Sequence, residues 1–173
     1  MFDLNKHTHR LLIQEPFFAA VSRRINKKAS TGIPTAGVRV TEDGHYEMLY
    51  NPDFFEKLPD VQKAGVLKHE FYHLIWDHCS ERLPDEGMSM LWNIATDLAI
   101  NSHLMDEIPE NGCFPGKDLF KDFPAGQSAE WYFKALQKKK EDEDEDEGQG
   151  QDQDQDEDQD QDDQEGEGQE GQD

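Results

Sequence analysis

Cysteine is scarce: only Cys79 and Cys113 occur in 173 residues, and they form no Cys-x-x-Cys pair. That spacing supports neither a disulfide framework nor a cysteine-built zinc finger, and it fits a reducing compartment. Long apolar runs are missing too, with nothing near the roughly 18 residues of a membrane helix. The N-terminus, MFDLNKHTHR, lacks the basic-then-apolar order of a secretory signal. A soluble, cytoplasmic protein is expected. Positive charge is thin, with 17 Lys and Arg against 39 Asp and Glu, and basic residues cluster only around 23–28 and 138–140. Nucleic acid is therefore not an expected partner.

The negative charge is concentrated at one end. Residues 141–173 contain only Glu, Asp, Gln and Gly, and hold 19 of the 39 acids and no base. Residues 1–140 are then close to neutral, at −3, and about 42% of them are apolar, an ordinary globular composition. The expectation is one folded domain over 1–140 and a disordered acidic tail over 141–173, a solubilising extension whose carboxylates bind divalent cations weakly.

Periodicity predicts a helix over residues 4–29, bent at Pro16, on Leu11, Leu12, Phe18, Val21 and Ile25. Residues 37–41 and 46–50 read as strands joined by Glu42-Asp43-Gly44-His45, a hairpin turn. A short helix with Phe54 and Phe55 follows, and Pro59-Asp60 opens a central helix to about His78. An apolar helix is expected over 88–105, a loop rich in Pro and Gly over 106–127, and a last helix capped by Ser128 and ending at Gln137. The fold class is α+β, mainly helical, with a short hairpin packed on the central helix.

That helix carries His69-Glu70-Phe71-Tyr72-His73, the pattern HExxH. Two imidazoles four residues apart project from one helical face and can close on one zinc ion, while the carboxylate beside them can take a proton from water. Chance would supply such a match only a few hundredths of the time, roughly. The surroundings, Leu67, Leu74, Ile75 and Trp76, make unpartnered polar groups costly. A third ligand is required. Asp97 is the leading candidate, because Asn93, Asp97 and Asn101 form a polar stripe on an otherwise apolar helix, and the two asparagines are placed to orient ligands. His78 is the alternative, available only if the helix breaks after His73. Arg82, Tyr72, His103 and Tyr132 are candidate donors to an oxyanion, and the sequence does not choose among them.

Read in order, HEFYHLIWDHCSER, WNIATDLAIN, LYNPDFF and GQSAEWYF resemble the bacterial and phage family called the putative metallopeptidase domain. The likeness covers about residues 5–137. It implies a zincin-like fold in which His69 and His73 bind Zn2+ and Glu70 is the base. It favours Asp97 through the A-x-D-x-x-I-N segment, although His78 matches the family's HExxHxxxxH pattern. Longer members continue into a von Willebrand factor A-like domain, which makes a protein of that kind an expected partner. The function implied is hydrolysis of peptide bonds in a peptide or protein substrate, aligned along the hairpin's edge; the alternative is a catalytically silent, zinc-stabilised protein-binding module.

Overall fold

The structure, a computed structural model, describes residues 2–149. Asp3 caps the first helix, α1 (Leu4–Gln14), by accepting the backbone N–H groups of Asn5 and Lys6. Pro16 then starts a separate helix, α2 (Pro16–Ser22), where a missing N–H and a fixed φ cost nothing.

The helix expected to reach residue 29 ends at Ser22, and Ile25–Ala29 is a strand, β1. Its partner explains the difference. β1 pairs in parallel with a strand some 20 residues later, from Ile25 opposite Tyr46 to Ala29 opposite Tyr50. Ile25 is buried in the core, Lys27 donates to backbone carbonyls, and Lys28 ion-pairs with the buried Glu47. Lys27 and Lys28 thus lie in a strand held by contacts distant in sequence.

The expected hairpin is present as β2 (Ala36–Val40) and β3 (Tyr46–Tyr50), antiparallel, giving the sheet order β1-β3-β2. Gly44, with φ +76°, supplies the left-handed residue that its turn requires. Glu47 on the middle strand ties both neighbours, accepting from Arg39 of β2 at 2.6 Å as well as from Lys28 of β1.

After α3 (Pro52–Glu56), capped by Asn51, the central helix α4 (Asp60–Ile75) buries Leu67, Phe71 and Leu74 in a core with Leu11, Phe18, Met48 and Phe55. It ends at Ile75, short of the expected His78. Asp77 takes φ +55°, and the N–H of His78 folds back on the carbonyl of His73 at 2.9 Å. Helix α5 (Met90–Asn101), capped by Ser89, is shorter at both ends than the 88–105 expected. Its Trp92, Ala95 and Leu98 form a second core with Tyr132 and Leu136 of α6 (Ala129–Gln149). The connecting segment holds one 3-10 turn, Asp118–Phe120, and anchors itself through Leu104, Ile108 and Phe114.

Helix α6 runs past the end at Gln137 that the sequence suggests, so residues 141–149 are helical. The chain divides into two units, Met1–Lys138 and Lys139–Asp173. The expectation of disorder for 150–173 concerns residues outside those described. No helix among the described residues is long and apolar enough to cross a membrane.

Candidate metal centre

Helices α4 and α5 pack against each other with the HExxH face of one toward the polar stripe of the other. Three donor atoms converge there: Nε2 of His69 lies 3.1 Å from Nε2 of His73, and Oδ1 of Asp97 is 3.3 Å from the first and 3.2 Å from the second. A tetrahedral ion with bonds of about 2.0–2.1 Å holds its ligands roughly 3.3–3.4 Å apart. The three side chains therefore have nearly the spacing of one face of such a site, and they form the one group of three metal-binding side chains among the described residues.

Each imidazole is oriented from behind. Asn101 donates Nδ2–H to the Cys113 carbonyl at 2.8 Å, which leaves its Oδ1 to accept Nδ1–H of His69, also at 2.8 Å. A proton on Nδ1 leaves the neutral ring's lone pair on Nε2, pointing into the cluster. Behind His73, its Nδ1 faces Nδ1 of His78 at 3.4 Å. The structure thus puts His78, the alternative third ligand, on the far side of His73 from the converging atoms, and puts Asp97 among them. Asn93, the other member of the stripe, is exposed and lines the cleft without touching either histidine.

Charge in this pocket is strongly coupled. Burial pulls His69 down, yet its hydrogen bond to Asp97 and the charges of Asp97 and Glu70 outweigh that and carry it up to about 9. Burial pushes Asp97 up, and the hydrogen bonds and charges of the two histidines overcome it, holding the carboxylate well below its ordinary range. Burial raises Glu70, against the pull of His69 and His73. The pocket is built to keep Asp97 ionised and to seat positive charge beside it, and a metal ion is one form of that charge.

The donors open onto a cavity of about 250 Å³ bounded by Ala36, Gly37 and Val38 of β2, by Glu70, and by Cys79 and Thr96. A second opening, about 260 Å³, meets His69, Glu70 and Asp97 from the side of Phe54, Val66 and Pro109. Thr35 borders both, so the cleft passes across the donors beside β2. Of the proposed oxyanion donors, none borders either opening. Tyr72 packs on Phe18 and Trp76, the Tyr132 hydroxyl donates to the Pro124 carbonyl at 2.6 Å, Arg82 pairs with Glu130, and His103 meets Trp76 edge-on. Sequence reasoning missed Thr96, Cys79 and the Cys113 carbonyl as parts of the site. Only their chain proximity to the motif and the stripe hinted at them.

Over 101 residues the chain is 28% identical to an uncharacterized protein of Thermotoga maritima, a match covering 58% of this chain and 24% of that protein. The chain thus spans about a quarter of the length of that relative. No solved structure matches it. The model of one protein family, described as Putative metallopeptidase domain, matches residues 2–173. The chain belongs to that family.

Proposed function

We propose that this domain is a zinc-dependent peptidase in which Nε2 of His69, Nε2 of His73 and Oδ1 of Asp97 bind Zn2+ and Glu70 is the general base. The observation that carries the reading is the convergence of those three atoms at 3.1–3.3 Å with the Glu70 carboxylate on the same cleft. Two nitrogens and a carboxylate suit zinc, and three protein ligands leave a position for water or substrate, as catalytic sites require. When bound, the ion supplies Lewis acidity, making water more acidic and a substrate carbonyl more electrophilic. Glu70 then accepts a proton from the attacking water and can return it to the leaving amine. Its buried setting, which raises its proton affinity, suits both transfers. The packing of α4 and α5 beneath a small sheet is read as zincin-like.

Strand β2 supports a peptide substrate. Asn51 N–H donates to Thr35 O, and Thr41 N–H donates to His45 O, both toward β3. Antiparallel pairing alternates, so the backbone groups of Ala36 and Val38 face outward, toward the cleft, where the Val38 carbonyl accepts from Cys79 Sγ at 3.8 Å and a substrate would compete for it. An extended peptide can add to that edge with a carbonyl near the donors. The working compartment is read as cytoplasmic.

Full-length protein, dialysed against a weak chelator, should retain one zinc per chain. Glu70→Gln should keep the metal and lose cleavage of a peptide library, whereas Asp97→Ala and His73→Ala should lose the metal. Wild-type protein without zinc would end this reading; zinc without any cleavage would leave a binding module.

A further inference from the structure

His78 is buried to 1% exposure, and its position is fixed from three sides. Its N–H donates to the His73 carbonyl at 2.9 Å, its own carbonyl accepts Nε1–H of Trp92 at 3.0 Å, and its ring packs edge-on against Trp76 and Trp92. The chain reaches it through Asp77 at φ +55°, a left-handed conformation that aspartate is among the few non-glycine residues to adopt. A polar ring buried and fixed this closely calls for a reason, and the ring's contact supplies one: Nδ1 of His78 lies 3.4 Å from Nδ1 of His73.

We propose that His78 is a positioning residue for the metal centre: its Nδ1 accepts the proton of His73 Nδ1 and thereby holds the His73 lone pair on Nε2, toward His69 and Asp97. The proposal rests on the metal-site reading above and goes beyond it. His73 can offer Nε2 to a metal only if its ring proton is on Nδ1, and a proton there needs an acceptor. His78 Nδ1 is the one that faces it. His78 must then carry its own proton on Nε2, and Nε2 is a buried atom without a hydrogen-bond partner among the described residues. Leaving a donor buried in this way costs about 1–3 kcal/mol. The fold tolerates that orphan because the acceptor side of the same ring is committed to His73. The two ligand histidines are thus oriented by unlike devices, His69 by an asparagine clamped to a backbone carbonyl and His73 by a second imidazole.

The test uses full-length protein and zinc. His78→Phe, which keeps a ring and removes the acceptor, should weaken zinc binding 10- to 100-fold, measured by competition with a chromophoric chelator, while still saturating at one zinc per chain. His78→Asn, which restores a short acceptor, should recover most of the affinity. Nitrogen-15 NMR of zinc-loaded wild type reads the tautomers directly and does not depend on any variant folding: His73 should be protonated on Nδ1 and His78 on Nε2. A proton on His78 Nδ1, or unchanged affinity in His78→Phe, overturns the proposal. So does a cobalt-substituted His78→Phe spectrum that has lost a nitrogen ligand, since His78 would then be a ligand itself. Zinc missing from wild type overturns the metal centre and this proposal together; normal wild-type binding with an indifferent His78→Phe overturns this proposal alone.

Discussion

At Asn101 both ends of one amide are spoken for, by the Cys113 carbonyl and by His69, and the result is a fixed tautomer on a proposed ligand. Asn101→Ala should therefore weaken zinc binding by about 10–100-fold, with far-ultraviolet circular dichroism unchanged, because it removes an orienting acceptor and leaves the three donors in place. The same cluster sets a pH dependence in metal-free protein. His69 is raised from 6.5 to about 9, so the protonated ring stabilises the fold fully below pH 6.5, and that contribution fades as pH rises toward 9. Melting temperature of chelator-treated protein should fall across that window, with a loss of up to about 3 kcal/mol. In zinc-loaded protein the ion takes the proton's place and the fall between pH 6.5 and 9 should disappear. A metal-free sample with equal stability at pH 6.5 and 9 would show that Asp97 does not hold the proton on His69.

Between elements, a close approach of two backbones falls at Gly65 of α4, where the 104–110 segment crosses the helix. A Cβ built there would lie 2.0 Å from the backbone oxygen of Glu107, an atom that no side-chain rotation can move. Alanine would gain up to about 1 kcal/mol of helix propensity but would push the 104–110 segment off the helix, at about 1–3 kcal/mol or more. The second effect wins, so Gly65→Ala should lower the melting temperature. Three residues further on, Lys68 runs into the same seam, its side chain 5% exposed, with Nζ 2.8 Å from Glu15 and 2.5 Å from Glu107. Because both acids remain partly solvated, Lys68→Ala should cost only about 1–2 kcal/mol, and Lys68→Met, which keeps the stem, less than half of that by urea denaturation. What was legible in the sequence divides along these lines. HExxH and the Asn93, Asp97 and Asn101 stripe were readable because both are helical periodicities within single elements, and the hairpin because its turn chemistry is local. Strand β1 was not, because among the described residues it pairs only with 46–50, some 20 positions away. The break before His78 was not either, because Asp77 adopts a left-handed conformation without the glycine that signals one.

For the whole molecule, the formal charge of −22 misdescribes the part that carries the candidate metal centre, since 19 of the 39 acids lie in residues 141–173 and residues 1–140 sum to −3. Two kinds of cation binding should therefore coexist on one chain and separate cleanly by salt. Tail carboxylates attract divalent ions through solvent, over distances that a Debye length of about 8 Å at physiological ionic strength cuts short. In the proposed site the His69, His73 and Asp97 atoms would instead bind through direct bonds in a buried setting, where screening is weak. In 10 mM salt, isothermal titration of full-length protein with zinc should show one tight event followed by a broad weak phase. Raising salt to 0.5 M should erase the weak phase and leave the tight one at one ion per chain. A chain ending at residue 140 should show the tight event alone at either salt concentration. Asp97→Ala in the full-length chain should give the mirror image, the weak phase without the tight one. If the tight event were lost with the tail instead, the acidic residues would be its ligands, and the assignment to α4 and α5 would be wrong.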